Sequence, residues 1–180
     1  PQGLRAQAAF LHSNECGTDP ENNMASLLQG LCTSSTLRTL WVDVWPSASQ
    51  HLFTSLRSLN LVGHTFNRKL PSESSVLTNL TSLNAGNLCH QSALDLLPTS
   101  LQALGLQGPQ AGAHGSDKER DPVNLSRLAS CTRLRFWGSL HVDDVLPGSI
   151  DELVVTGCHS TTMSKPLLRL HKLRRLQCSW

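Results

Sequence analysis

Tyrosine is missing from this chain altogether, and the four Phe and four Trp bring the aromatics to only 4% of 180 residues. An irregular core fills its gaps with large rings, so a core built from one smaller, repeated side chain is expected instead. No stretch approaches the roughly 18 consecutive apolar residues that a membrane span requires. Neither sign of charge dominates: 15 Lys and Arg face 13 Asp and Glu, a formal balance of +2. So mild a balance argues against a protein made to neutralise nucleic-acid phosphates or to adhere to an anionic bilayer. No nucleic acid and no membrane are therefore expected as partners. The start reads as neither a signal peptide nor a transit peptide. Opening at Pro1 and closing at Trp180, the chain reads as a piece of a longer one.

The motifs of catalysis are missing too. There is no G-x-S-x-G elbow, no Walker A loop and no G-x-G-x-x-G phosphate loop. Six cysteines include no C-x-x-C pair, which removes the usual zinc and redox frameworks. The eight His are scattered. Cys158, His159 and His141 can be drawn together as metal ligands, but loop and surface positions account for them better. Asp143-Asp144, beside Val145 and Pro147, reads as a solvated turn. The expectation is no enzyme, no cofactor and no metal.

What the chain does have is leucine, 33 residues of it, and the leucines recur in order. Self-similarity at a fixed period is the signature of repeat architectures. The pattern is L-x-x-L-x-L, and seven copies align. They are Leu37/Leu40/Val42, Leu56/Leu59/Leu61, Leu80/Leu83/Ala85, Leu101/Leu104/Leu106, Cys131/Leu134/Phe136, Ile150/Leu153/Val155 and Leu173/Leu176/Cys178. Successive copies start 19, 24, 21, 30, 19 and 23 residues apart. The long gap holds residues 108–122, whose Gly, Pro and charged residues read as an inserted loop.

On these residues the chain resembles leucine-rich repeat proteins, of an irregular kind. Leu97-Pro98-Thr99-Ser100-Leu101, Leu146-Pro147-Gly148-Ser149-Ile150 and Phe66-Asn67-Arg68-Lys69-Leu70-Pro71 are similar to FNIP-type units. The Asn that usually follows the strand is replaced throughout, by Trp45, His64, Leu88, Pro109, Ser139 and Cys158. The resemblance implies an α/β leucine-rich repeat solenoid, a horseshoe arc with one parallel β-sheet and short helical or irregular convex segments. It spans residues 18–180 in about seven repeats, with residues 1–17 an irregular segment or the remnant of a preceding repeat through Leu4, Phe10 and Leu11. It also implies a non-catalytic scaffold for protein–protein interaction. The alternative it offers is the substrate-recognition part of a larger adaptor, such as an F-box-type ubiquitin ligase subunit.

Between the strands, Thr18-Asp19-Pro20-Glu21 opens a helix that Gly30 can end. Ser47 to Gln50 is a second capping box. Leu125, Leu128 and Cys131 recur every three residues, which suits a helix or 3₁₀ turn, and Ser164 and Pro166 start a last convex segment with Leu167 and Leu170 inward. The Leu-Pro units are too short for a helix and read as extended or 3₁₀. Cys131 and Cys178 fall on core positions as reduced thiols, which points to a cytoplasmic setting.

Alternation along each strand turns positions three, five and seven away from the leucine core. Exposed Trp and Arg are the types most enriched at binding hot spots, so Trp41, Trp137, Arg133, Arg135 and Arg175 are the candidate partner-binding residues. Glu152, one strand on from Arg133, would neutralise one of the two β-strand arginines and leave the other for a partner carboxylate, so an acidic peptide segment is the expected ligand. The reading depends on register: taking Leu134 in place of Cys131 as the first position would bury Trp137 and dissolve the site. Nucleic-acid contact through Arg133, Arg135, Arg174 and Arg175 is the competing use of the same charges, opposed by the low net charge and by Glu152 between them.

Overall fold

A computed structural model describes residues 8–11, 29, 31, 34–42, 54–61, 77–86, 91–107, 122–138, 140–157 and 164–179. Eight short strands form one sheet in sequence order, every neighbouring pair parallel. They are β1 (Ala8–Leu11), β2 (Thr39–Val42), β3 (Ser58–Leu61), β4 (Ser82–Ala85), β5 (Ala103–Gln107), β6 (Arg133–Trp137), β7 (Glu152–Thr156) and β8 (Arg175–Ser179). Strict sequential order with parallel pairing means that each connection returns the chain to the same end of the sheet, which makes a solenoid of stacked coils.

The register is that of the aligned repeats. Leu40, Leu59, Leu83, Leu104, Leu134, Leu153 and Leu176 stand opposite one another across β2 to β8. The first, fourth and sixth residues of the first six repeats are all buried. Because the side-chain period of a strand is two, the alternating burial of β6, with Leu134 and Phe136 in and Arg133 and Arg135 out, fixes both faces at once.

Backbone hydrogen bonding repeats as strictly as the leucines. The carbonyl of the second residue in one repeat accepts from two successive N–H groups of the next. Arg57 and Ser58 thus donate to Arg38, Gln102 and Ala103 to Thr81, and Asp151 and Glu152 to Thr132, at 2.8–3.0 Å. At three repeats a serine just before the first position adds a side-chain rung. Ser55, Ser100 and Ser149 donate to the carbonyls of Leu37, Leu80 and Cys131 at 2.8, 2.8 and 2.6 Å.

Entry into the strands is by one recurring turn. The N–H of the first residue donates to the carbonyl three residues back: Leu80 to Leu77, Leu101 to Pro98, Cys131 to Leu128, Ile150 to Pro147 and Leu173 to Leu170. The residue three back is buried in all five. In the unit spaced every three residues, Leu128 N–H also donates to Leu125, so two turns of 3₁₀ type follow each other without forming a helix. Two short helices are described, α1 (Gln91–Leu94) and α2 (Ser164–Leu168). The second starts at the expected Ser164. The first stands ahead of a Leu-Pro unit expected to have none, and its Ala93 and Leu94 are buried, so core packing decides there over length.

Three other expectations are corrected. The sheet has an eighth strand, β1, paired with β2 from Ala8↔Thr39 to Leu11↔Val42. Its repeat was hidden because Ala6 and Ala9 stand where Leu recurs elsewhere. Cys178 is exposed, and Leu176 beside it is 46% exposed, because β8 is the outermost strand and no described residue covers its far side. The core-thiol reasoning therefore holds for Cys131 alone. Asp144 is not solvated but buried, accepting from the N–H groups of Val123 at 2.9 Å and His141 at 2.7 Å. It ties two coils together on the side away from the sheet.

That side also carries a small ladder. Asn124 and Val145 form a parallel bridge, and the Gln91 carboxamide continues it, donating to the Asn124 carbonyl at 2.9 Å and accepting from its N–H at 2.7 Å. A side-chain amide here stands in for a strand residue. Most of the helix expected before Gly30, the capping box at Ser47 and residues 108–121 lie outside the described residues.

Two stability outcomes follow, both read from urea midpoints at unchanged slope. Leu104→Ala, at a fully packed rung, is expected to lose about 2–5 kcal/mol. Ser100→Ala removes one inter-coil rung but leaves the Leu80 carbonyl its backbone geometry, so a loss of only about 0.5–1.5 kcal/mol is expected.

Candidate partner-binding surface

The outward rows of the sheet are set by the same register. Across β6 to β8 the third-position row reads Arg133, Glu152, Arg175 and the fifth-position row reads Arg135, Val154, Gln177. The seventh-position row reads Trp137, Thr156, Ser179. Arg133 and Arg135 are exposed, Phe136 is 4% exposed and points into the core, and Trp137 is half-buried on the outer face. The strand therefore presents the indole and both guanidiniums on one side.

Between these rows lies a depression of about 260 Å³, lined by Arg135, Trp137, Glu152, Val154, Thr156 and Gln177 with Phe136 beneath. Three of the six candidate residues, Trp137, Arg135 and Glu152, thus meet around one space. Arg133 stands next to Glu152 on the adjacent strand. Arg175 belongs to the site through Glu152, to which it donates at 3.3 Å. Trp41 does not belong to it. It is 39% exposed on β2, four strands from β6, or about 19 Å at roughly 4.8 Å per strand.

The ion pairing differs from the expected one. Glu152 was expected to take an arginine of β6, yet its partner is Arg175 on β8. Both neighbours in the row are arginines, and the one on the edge strand has the freer side chain. Among the described residues neither Arg133 nor Arg135 has a carboxylate partner. The pair itself is mostly exposed on the Arg175 side and stabilises little. Its consequence is electrostatic: Glu152 is neutralised, and two guanidiniums are left over.

Val154, Thr156 and Gln177 were on the outward rows of the sequence pattern but were not singled out. Only the presence of a depression distinguishes them, and depressions depend on how neighbouring side chains lean. Thr156 Oγ1 is buried with no hydrogen-bond partner. Two glycines close the outer end of the surface. Gly138 and Gly157 leave β6 and β7 with φ of 126° and 78°, and each donates its N–H to the next strand, to Thr156 at 2.7 Å and Ser179 at 2.8 Å. Only glycine adopts that backbone at little cost.

Reactive chemistry is not concentrated anywhere in the described residues. No group of three or more His, Cys, Asp and Glu among them is placed to hold a metal, and Cys158 and His159 lie outside them. His141 Nδ1 accepts from the Asp143 N–H at 3.1 Å, closing its own turn. Cys131 is a core thiol whose burial pushes its pKa up to about 11, the opposite of an activated nucleophile. Among the described residues no helix is long and apolar enough to cross a membrane.

Fold and surface together define a parallel β-solenoid repeat protein with a cationic, tryptophan-walled depression on the outer face of its sheet. Compared with known protein families, with curated proteins and with solved structures, the chain matches none.

The Cys131 thiol has a pH consequence. Its folded pKa lies above the ordinary value of 9.0, so its neutral form is favoured by folding. That contribution is complete below about pH 9 and disappears as pH rises through about 11, an effect of about 2–3 kcal/mol. Urea midpoints at pH 8 and 11 are therefore compared between the native chain and Cys131→Ala. Cys131→Ala is expected to remove that part of the alkaline loss, and native Cys178 to be alkylated long before Cys131.

Proposed function

We propose that this chain is a leucine-rich repeat-like scaffold, an arc of repeats that carries no reaction and binds a protein partner on the outer face of its sheet. The partner segment is acidic and extended, and it docks over β6 to β8. One observation carries the reading: two guanidiniums with no carboxylate partner among the described residues, Arg133 and Arg135, stand beside the half-buried Trp137 and a depression. Tryptophan and arginine supply large contact area and directed charge at protein interfaces, and a guanidinium takes a carboxylate through two parallel hydrogen bonds. The neutralised Glu152 does not repel such a segment, as a free carboxylate would.

Recognition of this kind favours fast, salt-sensitive association. The low overall charge and the single Arg–Glu–Arg row argue for a short acidic peptide over nucleic acid, which needs many phosphate contacts along a stripe.

The test is a selection of displayed random peptides on the full chain, counter-selected on the double variant Arg133→Glu, Arg135→Glu. Enriched peptides are expected to carry Asp or Glu, to bind about tenfold or more weakly to Arg135→Ala, and to weaken further as salt rises. Enrichment of basic peptides, or of peptides indifferent to both arginines, would contradict the proposal.

A further inference from the structure

The outer face of β5 is interrupted at Gly105. A Cβ placed there would stand 2.6 Å from Asn84 Oδ1 and 3.1 Å from Trp137 Cζ3. Gly105 is buried although it lies on an outward row, so side chains from both neighbouring strands cover it. Asn84, its register partner on β4, leans in from one side with its amide donating to Asn60 Oδ1 at 3.1 Å. Trp137 leans in from the other, two residues beyond the register partner Arg135. The indole thus lies back across β5. It leaves β7, on its opposite flank, uncovered, and that is where the depression opens: Val154 and Thr156 form its floor and Gln177 its far wall.

We propose that this depression is a subsite for a carboxylate carried beside an apolar group on the partner peptide, and that Gly105 holds it open by leaving room for Trp137 over β5. The inference rests on the partner-binding reading above and names the group recognised. Arg135 supplies the charge at the wall of the depression, with no carboxylate partner among the described residues. Glu152, at the same wall, is already engaged by Arg175. Val154 and the indole supply apolar surface. A space of about 260 Å³ accepts one side chain with its acid group, not a folded element. A cationic group would meet three guanidiniums against one carboxylate, and a neutral amide would leave Arg135 unused.

The full chain labelled with fluorotryptophan gives one fluorine resonance per tryptophan, that of Trp137 being assigned from Trp137→Phe. Three probes separate the chemistry. N-acetyl-leucine has a free carboxylate beside an apolar side chain, N-acetyl-leucinamide lacks the acid, and N-acetyl-leucyl-glutamyl-amide carries it on a side chain. The acid probes are expected to shift the Trp137 resonance and to bind about tenfold more tightly than the leucinamide. The tighter of the two shows whether a chain terminus or an acidic side chain is the natural source.

Arg135→Gln should abolish the preference. Gly105→Val should move the Trp137 resonance in the free protein and remove the probe response, with a modest fall in thermal midpoint because the new side chain also displaces Asn84. In a Trp137→Ala background the same change should add nothing. Equal response to acid and amide, no response to any probe, or a Gly105→Val protein with Trp137 and binding unaltered would each overturn the proposal. Should selected acidic peptides still depend on Arg133 while these probes fail, the subsite falls and the wider docking face stands. Failure of both removes both.

Discussion

Every coil of this protein depends on the coil before it for a place to put its leucines. Three apolar side chains per repeat cannot bury themselves within some twenty residues of chain; they are covered only by their equivalents above and below. That requirement demands exact registration, and the backbone enforces it. One carbonyl per repeat accepts two successive N–H groups of the next coil, from Arg38 through to Asp151. The serine rungs at Ser55, Ser100 and Ser149 add to it from the side chains. Packing and hydrogen bonding thus specify the same alignment. A slip by one residue would expose every leucine of a strand at once.

The binding surface is a by-product of that registration. Once Leu134 and Phe136 are held inward, Arg133, Arg135 and Trp137 have nowhere to go but outward. Once β7 and β8 are stacked in the same register, Glu152 must stand between two arginines. What the register leaves open is how the outer side chains lean. Arg175 takes Glu152, and the missing side chain at Gly105 lets Trp137 lie toward β5. Those two local choices turn a flat sheet face into a depression with spare positive charge.

The leucine rows were legible because hydrophobic periodicity survives irregular repeat lengths: all seven strands stand where L-x-x-L-x-L puts them. Less legible was β1, in which alanines replace the leading leucines and Leu11, opposite Val42, is the leucine left in register. A second periodic signal, glycine two residues after the last apolar position, recurs at Gly63, Gly108, Gly138 and Gly157. At the two described positions it answers a positive φ. Serine just before the first position recurs in four of the seven repeats, at Ser55, Ser100, Ser130 and Ser149. The burial of Asp144 was not legible because one of its two partners, the Val123 N–H, comes from another coil, which no local pattern announces. In the site, Trp137, Arg135 and Glu152 were legible from alternation alone. The choice of Arg175 over Arg133, and the separation of Trp41, depended on three-dimensional distance.

The face presented by β6 is the claim on which both fold and site turn, and single-cysteine reactivity measures it most directly. In a background with the other cysteines replaced, residues 133 to 137 are changed to cysteine one at a time and exposed to a thiol reagent under native conditions. Fast labelling is expected at 133, 135 and 137, and protection at 134 and 136. Fast labelling at 134 and 136, with 135 and 137 protected, would contradict the register and, with it, the binding surface.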